Sequence, residues 1–170
     1  MKLFYKLNVA IFILVFNMSP LTANEKTVFI NIDYIIKNSN AGKKVLNKID
    51  NLNKKNLNLL EKKNINLREL ESSIINKKNI ISEDEYNVEI KALRQKINNF
   101  TKDKNEIVKE FNEYRNNELE KLLNQFKPII SQYMEKNSIN IIIDAKNIFM
   151  ANNNSNITEI ILKEINKQID

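Results

Sequence analysis

The chain has 170 residues, 42% of them hydrophobic and 28% charged, with a net charge of +6; this suits about one folded domain. It contains a single glycine, Gly42, two prolines, and neither Cys nor His. That excludes nucleotide-binding glycine motifs, disulfides, thiolate or imidazole zinc sites, Cys nucleophiles and His-based triads, and it argues against a turn-rich β fold.

Residues 1–23 read as a secretory signal peptide. Lys2 and Lys6 precede an apolar run from Leu7 to Phe16, and small residues lead up to Ala23. The run is too short for a bilayer span of roughly 20 residues. The mature chain is expected to begin near Asn24, with net charge +4 once two lysines have left. Thr27 to Asp33 alternates with a period of two, so a strand is predicted there.

From Ser39 to Asn79 apolar residues recur mostly in steps of three, four and seven, with one drift in register, through Val45, Ile49, Leu52, Leu59 or Leu60, Leu67, Leu70 and Ile74. That is the seam of a coiled coil. Ser82 and Glu85 form a capping box, and a second seam runs through Tyr86, Ile90, Leu93, Ile97, Phe100, Lys104, Ile107, Phe111 and Tyr114. It continues to about Lys136, with Pro128 expected to kink or joint it. The two helices should span about 60 and about 80 Å. The break at residues 79–82 predicts an antiparallel hairpin in which paired residue numbers sum to about 161. Asn56 should then lie near Lys104, and Glu118 near Lys43 or Lys44. These polar seam residues are expected to be solvated.

After Lys136 the texture changes. Ile139 to Asp144 and Ile148 to Ala151 read as two short strands, and Asn156 with Glu159 as the start of a last helix through Ile165. The fold class expected is mainly α: a long helical hairpin, residues 39–136, on a small β-rich body of residues 24–38 and 137–170. That body has only 49 residues and no disulfide or metal to hold it. A homo-oligomer is therefore expected, with Val28, Ile30, Ile32, Ile141 and Ile143 as its apolar strand faces.

No catalytic residue, metal ligand or cofactor is expected, and the chain does not read as an enzyme. Glu83, Asp84 and Glu85 sit where a helix dipole favours negative charge. The first long helix region holds ten basic and four acidic residues, and the second ten and eleven. The first helix therefore reads as an attractor for anionic partners, whether acidic polypeptide, anionic lipid or lipopolysaccharide, with Lys54, Lys62 and Arg68 exposed on it. The export signal disfavours nucleic acid.

The order VFINID, then Ser39-Asn40-Ala41-Gly42-Lys43-Lys44, a long charged hairpin, Pro128-Ile129-Ile130, INIIIDAKNIFM and Asn156-Ile157-Thr158 resembles the Skp/OmpH family of periplasmic chaperones. Asn156 stands where that family usually has Asp. The resemblance implies a homotrimer with three helical tentacles around a cavity. It also implies an ATP-independent holdase for unfolded outer-membrane β-barrel proteins crossing the periplasm. The rival reading is an exported coiled-coil spacer of the envelope without client-holding activity.

Overall fold

The computed structural model describes residues 26–169. The signal-peptide segment lies outside them. The elements, in order, are β1 (Lys26–Ile30), α1 (Ile32–Asn38), α2 (Asn40–Lys77), α3 (Glu83–Lys136), β2 (Ile139–Asp144) and α4 (Thr158–Gln168). Two single 3-10 turns, Ala145–Asn147 and Asn153–Ser155, lie between the last two.

β1 is shorter than the alternation predicts. The Asn31 side chain accepts the Tyr34 N–H at 2.9 Å and starts a helix at once. Ile32 is therefore a helix residue and not a strand residue; with Ile35 and Ile36 it falls at helical spacing. Ser39 then serves two helices. Its N–H donates to the Ile35 carbonyl, and its hydroxyl accepts the Gly42 N–H at 3.1 Å. Only glycine fits at position 42, since a Cβ there would lie 1.8 Å from the Ile36 carbonyl oxygen. This contact packs the start of α2 directly on α1.

α2 and α3 form the hairpin, with lengths of about 57 and about 81 Å. Both components of the Ser82–Glu85 capping box are present. Lys63 pairs with Asp103 at 2.6 Å and Lys77 with Glu89 at 2.9 Å, so paired residue numbers sum to 166, not about 161. The reversal comes late because the Ile80 and Ile81 N–H groups still bond to the Lys77 carbonyl and prolong the helical course. Lys104 is exposed accordingly, and Asn56 is level with Glu110, not with Lys104. α3 is the longer helix, and its last turns run on past the start of α2 into the body. Pro128 lies inside it and is exposed, so water can solvate the Asn124 carbonyl that loses its N–H partner.

The body is built on a parallel pair, β1 with β2, in which Val28 is level with Ile142 and Phe29 with Ile143. Ser138 adopts φ 53° to turn the chain from α3 into β2, a position glycine usually fills. Phe126, Ile35, Ile161 and Ile165 are fully buried at the centre, with Val28, Ile30, Leu122, Ile129, Ile139 and Leu162 around them. Residues 148–151 are not a strand. They link the two 3-10 turns, and the only pairing nearby is one bridge from Phe29 to Asn156, with the Ile157 N–H donating to the Phe29 carbonyl. Asn156 does start the last helix. Its carboxamide oxygen accepts from the Thr158 N–H and hydroxyl at 3.0 and 2.6 Å, while that hydroxyl accepts the Asn31 N–H at 2.9 Å.

Candidate functional site

The hairpin shaft presents most of the surface and most of the charge. Its seam is only partly closed. Ile49, Ile74, Leu93 and Leu122 are buried, but Leu60, Leu67, Leu70, Phe100, Ile107, Phe111 and Tyr114 are half-buried. A two-helix pair has one shared stripe, so most seam side chains keep some contact with solvent. Midway along, a cleft of about 250 Å³ opens between the helices over Leu67, Leu70 and Phe100, with the Lys63–Asp103 pair at its rim. Both members of that pair are more than a third exposed, so it positions the helices more than it stabilises them.

Glu118 is a polar seam residue with a local partner. The Lys121 ammonium donates to it at 2.9 Å and, with Lys48 of α2 adding its charge, holds its carboxyl below the ordinary range. The expected neighbours Lys43 and Lys44 are displaced by the shift in register.

Lys54, Lys62 and Arg68 are all exposed, but they do not share a face. Lys54 is bonded to Asp50 one turn away at 2.6 Å. Lys62 precedes the seam residue Lys63, whereas Arg68 follows the seam residue Leu67, which sends the two to opposite sides of the hairpin.

The five residues expected on the oligomer-forming strands also divide. Val28 and Ile30 are buried in the protomer's own core, and Ile32 is half-buried in α1. Ile141 is 46% exposed and Ile143 half-buried. By the strand register, these two lie with Phe29 on the sheet face opposite Val28 and Ile142. Period-two reading found the strands but could not say which face the protomer covers by itself. Beside the outer face, a cleft of about 330 Å³ is lined by Phe29, Ile143, Ile148 and Met150. Phe149 and Met150 are 101% and 83% exposed.

Among the described residues no group of His, Cys, Asp and Glu is arranged to hold a metal ion, and no helix is long and apolar enough to cross a membrane. What the arrangement offers is a long, partly open surface of cations and apolar side chains. The sequence profile of the family described as outer membrane protein (OmpH-like) matches residues 26–165, from the first strand to the last helix. The chain belongs to the OmpH-like family. Its fold is similar to the crystal structure of an OmpH-like candidate outer membrane chaperone from Caulobacter crescentus CB15. The TM-score is 0.75 at 16% identity, over 85% of this chain and 86% of the other. No curated protein matches the sequence. The OmpH-like fold, two long helices in a hairpin on a small strand pair, is the architecture expected from the sequence.

Proposed function

We propose that this OmpH-like chain is a periplasmic, ATP-independent holdase that keeps unfolded outer-membrane β-barrel proteins from aggregating, delivered there by residues 1–23 as a signal peptide. The observation that carries the reading is the hairpin itself. It is a shaft of about 80 Å on which exposed Leu57, Ile97 and Val108 stand among lysines and arginines. Such a surface can hold an apolar chain by many weak contacts without a fixed sequence. Diluting a urea-unfolded outer-membrane β-barrel protein into buffer with this protein and no nucleotide should suppress light scattering at near-stoichiometric ratios. Unchanged aggregation would overturn the proposal and leave the spacer reading.

We propose further that the chain self-associates, as the homotrimer that the family resemblance implies; the body's outer face supports association but not its number. A parallel sheet is ordinarily covered on both faces. Here one face packs on the core, while Phe29, Ile141 and Ile143 face away from it beside Phe149 and Met150. Further copies of the chain are the economical cover, and residues 24–38 and 137–170 would then join the copies while residues 39–136 project. Ile141→Asp should dissociate the assembly, because it places a charge in an apolar contact. A wild-type protein that scatters light as a monomer at micromolar concentration would sink this reading.

A further inference from the structure

The outer side of the β1–β2 pair is an apolar face without a cover among the described residues. Phe29, Ile141 and Ile143 share it, because Phe29 is level with Ile143 and Thr27 with Ile141. Beside them Phe149 is 101% exposed and Met150 83%. The cleft of about 330 Å³ on this side is lined by Phe29, Ile143, Ile148 and Met150, and no charged side chain takes part in its lining. Its size suits a few aliphatic side chains of another segment.

The chain carries a segment of matching chemistry. Nine of the ten residues from Leu7 to Phe16 are apolar and none is charged; no stretch of ten among residues 26–169 is as apolar. Its position in the chain decides between it and a second copy as the cover. Residues 17–25 join Phe16 to Lys26, where β1 begins. Nine residues reach about 30 Å when extended, and a five-residue strand is about 17 Å long, so the run can turn back and lie along the face. A short tether holds its end at an effective concentration of about 1 mM. At equal intrinsic affinity, a free copy at micromolar concentration competes about a thousandfold less well for the same surface.

We propose that, while residues 1–23 remain attached, the run Leu7–Phe16 covers this face and blocks self-association, and that its removal opens the face to other copies. The inference rests on the signal-peptide and self-association readings and adds an order to them: cleavage first, assembly second. A chain that must cross a membrane as a single polypeptide is thereby kept single until it has crossed.

The test sets the full chain, residues 1–170, made by cell-free synthesis, beside the chain that begins at Asn24. At micromolar concentration the shorter chain should scatter light as an oligomer, and the full chain with the mass of one copy. The chain has no native cysteine, which allows a direct readout of contact. In the full chain, Met150→Cys is combined in turn with Val9→Cys, Phe12→Cys or Val15→Cys. At least one pair should close a disulfide within one chain, seen as a faster-running single-chain band on a non-reducing gel. Phe12→Asp with Leu14→Asp puts charge into the run and should restore association of the full chain. A full chain that assembles like the shorter one would overturn the inference. So would one that forms larger aggregates, since its run would then be uncovered. The absence of any intrachain cross-link, or a double-aspartate chain that stays single, would overturn it as well. A shorter chain that is itself monomeric refutes the self-association reading instead, and the cross-link then still decides whether the run covers the face.

Discussion

The body and the hairpin of this protein are stabilised in opposite ways. The body concentrates its burial. Phe126, Ile35, Ile161 and Ile165 come from three different helices and are fully enclosed, and side-chain hydrogen bonds through Asn31, Asn156 and Thr158 lock the strand and helix junctions. The hairpin spreads its burial over more than thirty residues per helix and encloses few side chains completely. A substitution in the body therefore removes a shared support, whereas one in the shaft removes a local contact. The part that must hold a defined shape is specified residue by residue. The hairpin, which repeats one weak contact many times, is specified by pattern.

The largest effect should come from the body's centre. Phe126→Ala leaves a cavity in the main cluster and should cost about 3–5 kcal/mol, read as a lower denaturation midpoint. Amide exchange should accelerate throughout the body and much less at the hairpin tip. Equal acceleration in both regions would abolish the contrast. Gly42→Ala comes next. The added methyl must push α2 off α1, at a cost of about 1–3 kcal/mol, and thermal denaturation would measure it. Since Gly42 sits where shaft meets body, this variant asks how far the two are coupled.

At the tip, Ser82→Ala breaks the capping box and should cost about 1 kcal/mol, confined in exchange measurements to the first turns of α3. The same cap gives the tip a dependence on pH. Hydrogen bonds from the Ser82 hydroxyl and backbone N–H hold the Glu85 carboxyl below its ordinary range. Its contribution is fully present above the ordinary carboxylate value, about 4.3, and is lost as pH falls through the lower folded value. Acidification should fray the tip of the wild type and change Ser82→Ala less. Asp103→Ala should have the smallest effect, at most about 1 kcal/mol by denaturation, because the Lys63–Asp103 pair is half in solvent. A larger loss would mean that the shaft, like the body, depends on single contacts.

Much of this architecture is legible in the sequence, and most of the misreadings share a cause. The ends of both long helices are marked by local chemistry, Ser39 before α2 and the Ser82–Glu85 box before α3, and they fall where expected. Asn156 likewise announces the last helix. Most arise where the outcome depends on something distant in the chain; the hairpin register is the exception, set locally by the Ile80 and Ile81 N–H groups on the Lys77 carbonyl. The run from Val28 to Ile32 alternates smoothly, but Asn31 ends the strand: its side chain caps α1, and its N–H goes to Thr158, more than a hundred residues away, and not to a neighbouring strand. The segment Ile148–Ala151 has strand composition but no partner strand among the described residues. The candidate site was half legible. Lys54, Lys62 and Arg68 are exposed as expected, but charge summed along a helix does not say which side of the hairpin each cation takes, and the three do not share a face.

The parallel pairing of β1 with β2 joins residues more than a hundred positions apart in the chain, Val28 with Ile142. An open chain would lose much freedom in bringing such distant ends together, and contacts of that span slow folding. The hairpin removes most of that separation. Once its tip has nucleated at Ser82, the two helices can zip downward by neighbour contacts alone, and each added turn brings residues 38 and 128 closer. The long arms thus act during folding as a zip fastener for the body. With the hairpin closed, the first strand can meet its partner across a separation far shorter than the chain between them.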